Sequence, residues 1–276
     1  MNQDNRYLIV IDLDGTLLHN FADWDDLAID YLKELTKLGH LVVIATGRPF
    51  RSSYFVYKEI GLNTPIINYN GALVKHPNDS LFPKTDLRVN RFEIFEILDF
   101  IGNDLLNVFC EIGDDIYVKR YDDDIHPYLH VDGGVLHEGN LQETLPENPN
   151  GCILFVKPSM VEKLQQFVET TFPNTLRSRY WGEQEKFDIV EIYNVNVNKG
   201  NGLKDTVKYY NINPNNVIVI GDGHNDIEMF NEAKICVAME NSHPALLPYA
   251  NVITKSNLEH GVYIFLKSFF EKKLAE

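Results

Sequence analysis

Five consecutive apolar residues, Tyr7-Leu8-Ile9-Val10-Ile11, run directly into Asp12-Leu13-Asp14-Gly15-Thr16. A continuous apolar run, rather than an alternating one, is what a parallel strand covered on both faces requires. A helical stripe follows at Leu27, Tyr31, Leu32, Leu35 and Leu38, with Gly39 placed to stop it. A second run, Leu41-Val42-Val43-Ile44-Ala45, then ends in Thr46-Gly47-Arg48. Strand, helix and strand in this order give a right-handed βαβ crossover, the opening of a doubly wound sheet. The pattern returns late in the chain. Leu203, Val207 and Tyr210 mark a helix, 211–216 is turn-like around Pro214, and Val217-Ile218-Val219-Ile220 is another buried run. That run stops at Gly221-Asp222-Gly223-His224-Asn225-Asp226. Residues 235–238 and 251–254 read as further short strands, and 259 onward as a closing helix.

Between these two stretches the chain changes character. Phe92, Phe95, Ile97, Leu98 and Ile101 predict a helix, while 107–111 and 116–121 predict strands joined at Gly113-Asp114. A polar stretch with Asp122-Asp123-Asp124 and Gly133-Gly134 comes next, then a strand at 152–156 and a helix to Thr171 capped by Ser159. Residues 176–181 and 187–193 read as a hairpin about Gly182-Glu183-Gln184-Glu185. The expected organisation is an α/β, Rossmann-like parallel-sheet core with an inserted α+β domain. Residues 1–84 and 192–276 form the core, 85–191 form the insert, and the crossings fall in 83–87 and 193–198.

At 276 residues the chain has room for two domains. Its 40 acidic residues against 25 basic ones leave a net charge of −15. That balance excludes a general nucleic-acid binder, which needs cationic surface, and a polybasic membrane contact. No apolar run reaches the ~20 residues that span a bilayer. Met1 to Arg6 lacks the basic-then-apolar order of a secretory signal. Three scattered cysteines, Cys110, Cys152 and Cys236, fit reduced thiols better than a disulfide framework. A cytoplasmic location follows as an expectation.

Ligands of open α/β sheets sit beyond the carboxyl ends of the strands. Three strands here end in polar sequence: Asp12-Leu13-Asp14, Thr46-Gly47, and Asp222 with Asp226. Asn198-Lys199-Gly200 opens the helix before the third. If the strands are neighbours, four carboxylates, one hydroxyl and one ammonium converge. Unit charges ~4 Å apart repel by ~4 kcal/mol at an effective dielectric near 20. One lysine offsets only one of four negative charges, so such a cluster calls for a hard divalent cation. An all-oxygen donor set favours Mg²⁺, which commonly pairs one or two carboxylates with substrate phosphate. Metal, Lys199, Thr46 and backbone amides facing one point suit a phosphoryl group.

Asp12-Leu13-Asp14-Gly15-Thr16, Thr46, Lys199 and Gly221-Asp222-Gly223-His224-Asn225-Asp226 resemble the four motifs of the haloacid dehalogenase (HAD) superfamily. Asn68-Tyr69-Asn70-Gly71-Ala72, the motif order and the insert between Thr46 and Lys199 resemble its Cof-like phosphatase branch with a type C2B cap. The resemblance covers nearly the whole chain. It implies that Asp12 attacks phosphorus to form an aspartyl-phosphate, and that Asp14 protonates the leaving oxygen and then activates water. Mg²⁺ would be held by the Asp12 carboxylate, the Asp14 backbone carbonyl and Asp222. Thr46 and Lys199 would hold the phosphoryl group with the amides of Leu13 and Gly47 and with Asn225. Asp226 would orient Lys199 or a metal-bound water. One position departs from the family: Glu240 stands where its members usually carry glycine.

Other signals are weaker. Asp122-Asp123-Asp124 reads as a solvated loop, and His126, His130 and His137 as loop histidines without the helical or cysteine support of a zinc site. Arg48 reads equally as a brace behind the site and as a substrate contact; Asn70 and Gly71 are further candidates for contact. In the insert, Arg177, Arg179 and Trp181 share one alternating face suited to a phosphorylated metabolite, so the insert is expected to select the substrate. There is neither a P-loop nor a Gly-x-Gly-x-x-Gly dinucleotide motif. The function expected is a Mg²⁺-dependent phosphatase of small phosphorylated metabolites, sugar phosphates or phosphorylated cofactors. The alternatives are a phosphomutase or phosphotransferase, and a non-catalytic phospho-ligand-binding protein. Oligomeric state is left open.

Overall fold

The computed structural model describes residues 6–20, 22–131 and 133–275, with side chains to residue 273. Met1 to Asn5, part of the amino-terminal stretch read above, and Glu276 lie outside the described residues. The chain forms two compact units: 1–48, 53–85 and 198–276 make the first, 49–52 and 86–197 the second. The expected insert of 85–191 thus differs at its far end. The strand Asp188–Asn194 continues past 191, pairing Tyr193 and Asn194 with Arg177 and Leu176 of the same unit. Pro49 to Ser52 also belong to the second unit.

The first unit is built on a five-stranded sheet, every neighbouring pair parallel. Its order is Val252–Ile253, Ile235–Ala238, Val217–Gly221, Leu8–Ile11 and Leu41–Ile44. Leu8 to Ile11 are fully buried, which explains the unbroken apolar run: a polar side chain on either face would lose its water. Each such side chain contributes about 2 kcal/mol by burial. The sheet direction follows from the register Ile11↔Ile220 and Ile11↔Ile44, which ends three strands side by side. A bridge from Ala45 to Ile67 continues it towards a small sheet of Ile66–Asn68, Leu73–Lys75 and Thr85–Asp86. This sheet, and the helix Tyr54–Ile60, carry no strong periodic signal and are absent from the sequence reading.

The helix Asp26–Lys37 is capped by Asp25, whose carboxylate accepts from the amides of Leu27 and Ala28. Its buried stripe is Ala28, Ile29, Leu32 and Leu35. Leu27 and Leu38, expected on that stripe, are exposed, because they lie at the helix ends and off the arc of the sheet. Gly39, with φ of 95°, ends the helix as expected.

His40 follows, buried, its Nδ1 accepting the backbone N–H of Tyr7 at 3.1 Å. That bond requires an unprotonated Nδ1. Burial, aided by the Arg6 cation, lowers the His40 pKa to about 4. Folded His40 therefore stays neutral while the unfolded residue takes up a proton below ~6.5. Stability is complete above that pH and is lost as pH falls towards 4, by up to roughly 3 kcal/mol. Denaturant titrations at pH 7 and 4.5 should show a smaller acid loss for His40→Asn, whose amide oxygen can accept the same N–H, than for wild type.

The second unit has a six-stranded sheet ordered Leu176–Glu183, Asp188–Asn194, Gly151–Val156, Leu105–Ile112, Asp115–Val118 and Val135–Glu138. All pairs are antiparallel except the last. The helices Arg91–Ile101 and Val161–Thr171 cover one face through Ile94, Ile97, Leu164 and Val168, with Cys110, Cys152 and Leu154 from the sheet. Phe109, Ile116, Phe155 and Ile189 on the other face pack against Ile125 and Leu129. Residues 125–138 thus hold a helical turn and a strand rather than the loop expected. Ser159 does not cap its helix. It lies inside a 3-10 turn, Pro158–Met160, that precedes Val161.

Candidate active site

Asp12 leaves the end of Leu8–Ile11, and its amide donates to the Ile220 carbonyl on the neighbouring strand. Its carboxylate is thereby fixed beside the loop after Val217–Gly221. Lys199 is the first residue of the helix Lys199–Tyr210, capped by the Asn198 side chain accepting from Asn201 N–H. The Lys199 ammonium, fully buried, donates to Asp12 Oδ1 at 2.5 Å and to Asp226 Oδ1 at 2.6 Å. Asp226 Oδ2 accepts the amides of Asp222 and Gly223 at 3.0 and 2.9 Å. Both oxygens of Asp226 are therefore engaged by donors. Asp222 Oδ1 accepts from the Thr16 hydroxyl at 2.8 Å. Gly15, at φ of 75°, packs so closely on Asp222 that any Cβ would clash with its carboxylate.

Oxygens of Asp12, Asp222 and Asp226 all lie within 4.8 Å of one another. Burial pushes the Asp12 carboxyl well up, against the pull of Lys199. Burial, then the Asp226 charge, raises Asp222 to about 7. Burial also works against the Lys199 ammonium, but Asp12 and Asp226 outweigh it and hold its pKa above the usual value. The cluster carries more negative charge than its one lysine offsets, so the donor set fits a divalent cation. Asp12 and Asp222 are the suited side chains, because Asp226 is already spent on Lys199 and two amides.

Thr46 N–H donates to Ile67 O, and its hydroxyl accepts Arg48 N–H at 3.1 Å, which leaves the hydroxyl proton to donate elsewhere. The Leu13 side chain is in the core. The amides of Leu13 and Gly47 donate to no protein acceptor among the described residues. Asn70 adopts φ of 55° and its N–H donates to Thr46 O at 3.0 Å. The Asn70 side-chain oxygen accepts from Asn225 at 2.9 Å, and a Cβ at Gly47 would lie 3.3 Å from it. Gly71 has φ of 102°, and its missing Cβ makes room for the Asn198 carbonyl. Gly71 thereby lets the loop pack against the start of the Lys199 helix. Arg48, buried, pairs with Asp14.

The candidates of the second unit each have partners within it. Arg177 donates to the carbonyls of Pro173 and Leu176. Arg179 pairs with Glu191 at 3.1 Å and lies over the Trp181 and Tyr193 rings. Trp181 Nε1 also donates to Glu191, at 3.0 Å. His137 pairs with Asp115, Asp124 with Lys186, and His126 opens a helical turn; among the described residues these histidines are not part of a cluster of three or more metal-ligating side chains. Glu240 is exposed and lies 3.5 Å from Lys255, so its side chain points to solvent. Thr16, which orients Asp222, was not singled out in the sequence, although it closes the first motif.

Residues 9–266 match the family of haloacid dehalogenase-like hydrolases. The chain belongs to the haloacid dehalogenase-like hydrolases. It is 32% identical to the 5-amino-6-(5-phospho-D-ribitylamino)uracil phosphatase YitU of Bacillus subtilis, across 96% of this chain and 97% of that one. It is 26% identical to the pyridoxal phosphate phosphatase YbhA of Escherichia coli, across 95% and 97%. Among solved structures, a haloacid dehalogenase-like hydrolase from Bacteroides thetaiotaomicron shares its fold with a TM-score of 0.81 at 20% identity, over 96% of this chain and 100% of that one. The chain is a HAD hydrolase of the Cof-like phosphatase branch, with an α/β core and a cap domain. No helix among the described residues is long and apolar enough to cross a membrane.

Proposed function

We propose that this HAD hydrolase is a Mg²⁺-dependent phosphatase of sugar phosphates or phosphorylated cofactors, working through an aspartyl-phosphate on Asp12. The observation that carries this reading is the Lys199 ammonium shared between Asp12 and Asp226, with Asp222 in the same oxygen cluster. A carboxylate held by a buried cation and oriented by its strand end is a positioned nucleophile. Asp12 attacks phosphorus, the bond from phosphorus to the ester oxygen breaks, and Asp14 gives that oxygen a proton. Water then attacks the phosphorus, returns a proton to Asp14, and frees phosphate and Asp12. Thr46, Lys199, Asn225 and the amides of Leu13 and Gly47 hold the phosphoryl oxygens, and Asn70 orients Asn225. Asp226 holds Lys199. Mg²⁺ on Asp12, the Asp14 carbonyl and Asp222 would neutralise the phosphoryl oxygens. The named activities of the two phosphatase relatives support a phosphorylated cofactor or its precursor as substrate. Three buried free cysteines fit a reducing cytoplasm.

The test is a panel of phosphate esters with Mg²⁺ and no added acceptor, scored by inorganic phosphate. Release is expected with Mg²⁺, none after chelation, and recovery on adding Mg²⁺ back. Ca²⁺ should support it poorly, because its longer bonds and larger ligand number loosen the alignment of nucleophile and phosphorus. Full turnover in EDTA after verified metal removal would refute the metal assignment. Turnover that requires an added acceptor would favour a phosphotransferase.

A further inference from the structure

Asp14 is half exposed, yet its carboxylate is held at both oxygens by one buried side chain. Arg48 Nε donates to Oδ2 at 2.8 Å and Arg48 Nη2 to Oδ1 at 2.5 Å; the Arg48 side chain is 3% exposed and that of Asp14 47%. The asymmetry is unusual for an ion pair at a site mouth. An exposed pair of two mobile chains contributes little, whereas here a fixed fork holds a carboxylate that has no other side-chain partner among the described residues. Arg48 is itself anchored along its backbone. Its N–H donates to Thr46 Oγ1, and its carbonyl accepts from Tyr69 N–H at 3.2 Å and Asn68 Nδ2 at 3.0 Å. Thr46 and Tyr69 sit at the same strand ends that place the phosphoryl-binding groups, so the orientation of Asp14 is referred to that frame.

We propose that Arg48 is a positioning residue, setting the plane and direction of the Asp14 carboxylate through its two-point pair rather than touching the substrate. This rests on the reading of Asp14 as proton donor to the leaving oxygen. Planar two-point pairing fixes orientation in a way that a single ammonium contact does not. Its effect falls on the one step in which Asp14 acts on the leaving group, and scales with how much that oxygen needs a proton.

The experiment compares kcat/KM for p-nitrophenyl phosphate, whose leaving oxygen needs little protonation, with phenyl phosphate, whose oxygen needs more. Wild-type turnover of both tests the phosphatase reading, and a selective loss on phenyl phosphate in Asp14→Asn tests the proton donor. Given those, Arg48→Gln should lose roughly 30-fold on phenyl phosphate and only roughly 3-fold on p-nitrophenyl phosphate, a share of the usual general-acid contribution. Arg48→Lys, which keeps the buried charge, should fold and show the same selectivity with a smaller loss. Adding Arg48→Gln to Asp14→Asn should steepen the preference no further. Equal losses on both esters would mean that Arg48 acts on the phosphoryl group or on the fold, and would overturn the proposal. So would a preference between the two esters equal to wild type's in Arg48→Lys, or a further steepening in the double variant.

Discussion

Asp12→Asn should abolish turnover, by roughly 10⁴-fold or more, while the protein still folds. The amide keeps the shape and the strand-end position of Asp12, and its backbone N–H still donates to Ile220. It lacks the charge needed to attack phosphorus and cannot carry the phosphoryl group to water. Lys199 retains Asp226 at 2.6 Å, so its buried ammonium is not left unpaired. Removing one carboxylate from a site with surplus negative charge also relieves repulsion. The result is read as phosphate release and, separately, as the thermal midpoint. Loss of turnover with an unchanged or higher midpoint is expected. Phosphate release at the wild-type rate would refute the mechanism.

Lys199→Met should damage both stability and activity. The fully buried ammonium is the one cation hydrogen-bonded to Asp12 and Asp226 among the described residues. Methionine fills its volume but leaves two buried carboxylates facing each other. Breaking a buried pair from one side costs about 3–5 kcal/mol, and part of that cost is escaped when a carboxylate takes up a proton. Denaturant unfolding at neutral pH should therefore show a large loss, and the loss should shrink as pH is lowered and the carboxylates are neutralised. Activity should fall at every pH, because a protonated Asp12 is no nucleophile. A Lys199→Met protein as stable as wild type at neutral pH would show that Lys199 does not balance the cluster. Pairing this variant with Asp226→Asn separates the two effects: stability should recover partly, activity should not.

The two predictions draw on residues of unequal legibility. Asp12, Asp14, Thr46, Lys199 and Asp222 stand out in the sequence because each follows a buried strand or opens a helix, where polar residues have no packing role. The parallel sheet was equally plain. Continuous apolar runs such as Leu8 to Ile11, too short for a helix and rich in β-branched residues, read as strands covered on both faces. The small sheet of Ile66–Asn68 and Leu73–Lys75 and the strand Val135–Glu138 left no such trace. These strands are three or four residues long and, unlike Leu8–Ile11, are not unbroken apolar runs: Asn68, Lys75, His137 and Glu138 interrupt them, and so short a segment shows no periodicity.

What the sequence determined by itself, then, is which polar residues end the strands and on what kind of sheet, since apolar runs and the polar residues that end them are local patterns. What only the tertiary structure decided is how those residues divide the work. Asp226 turns out to be committed to Lys199 and two amides, Arg48 to Asp14, Asn70 to Asn225, and Arg179 and Trp181 to Glu191. The Asp14–Arg48 pair joins residues 34 positions apart, and Lys199 reaches across 187. Hydrogen-bond partners at such separations are chosen by the packing of whole strands and helices, and no local pattern encodes them.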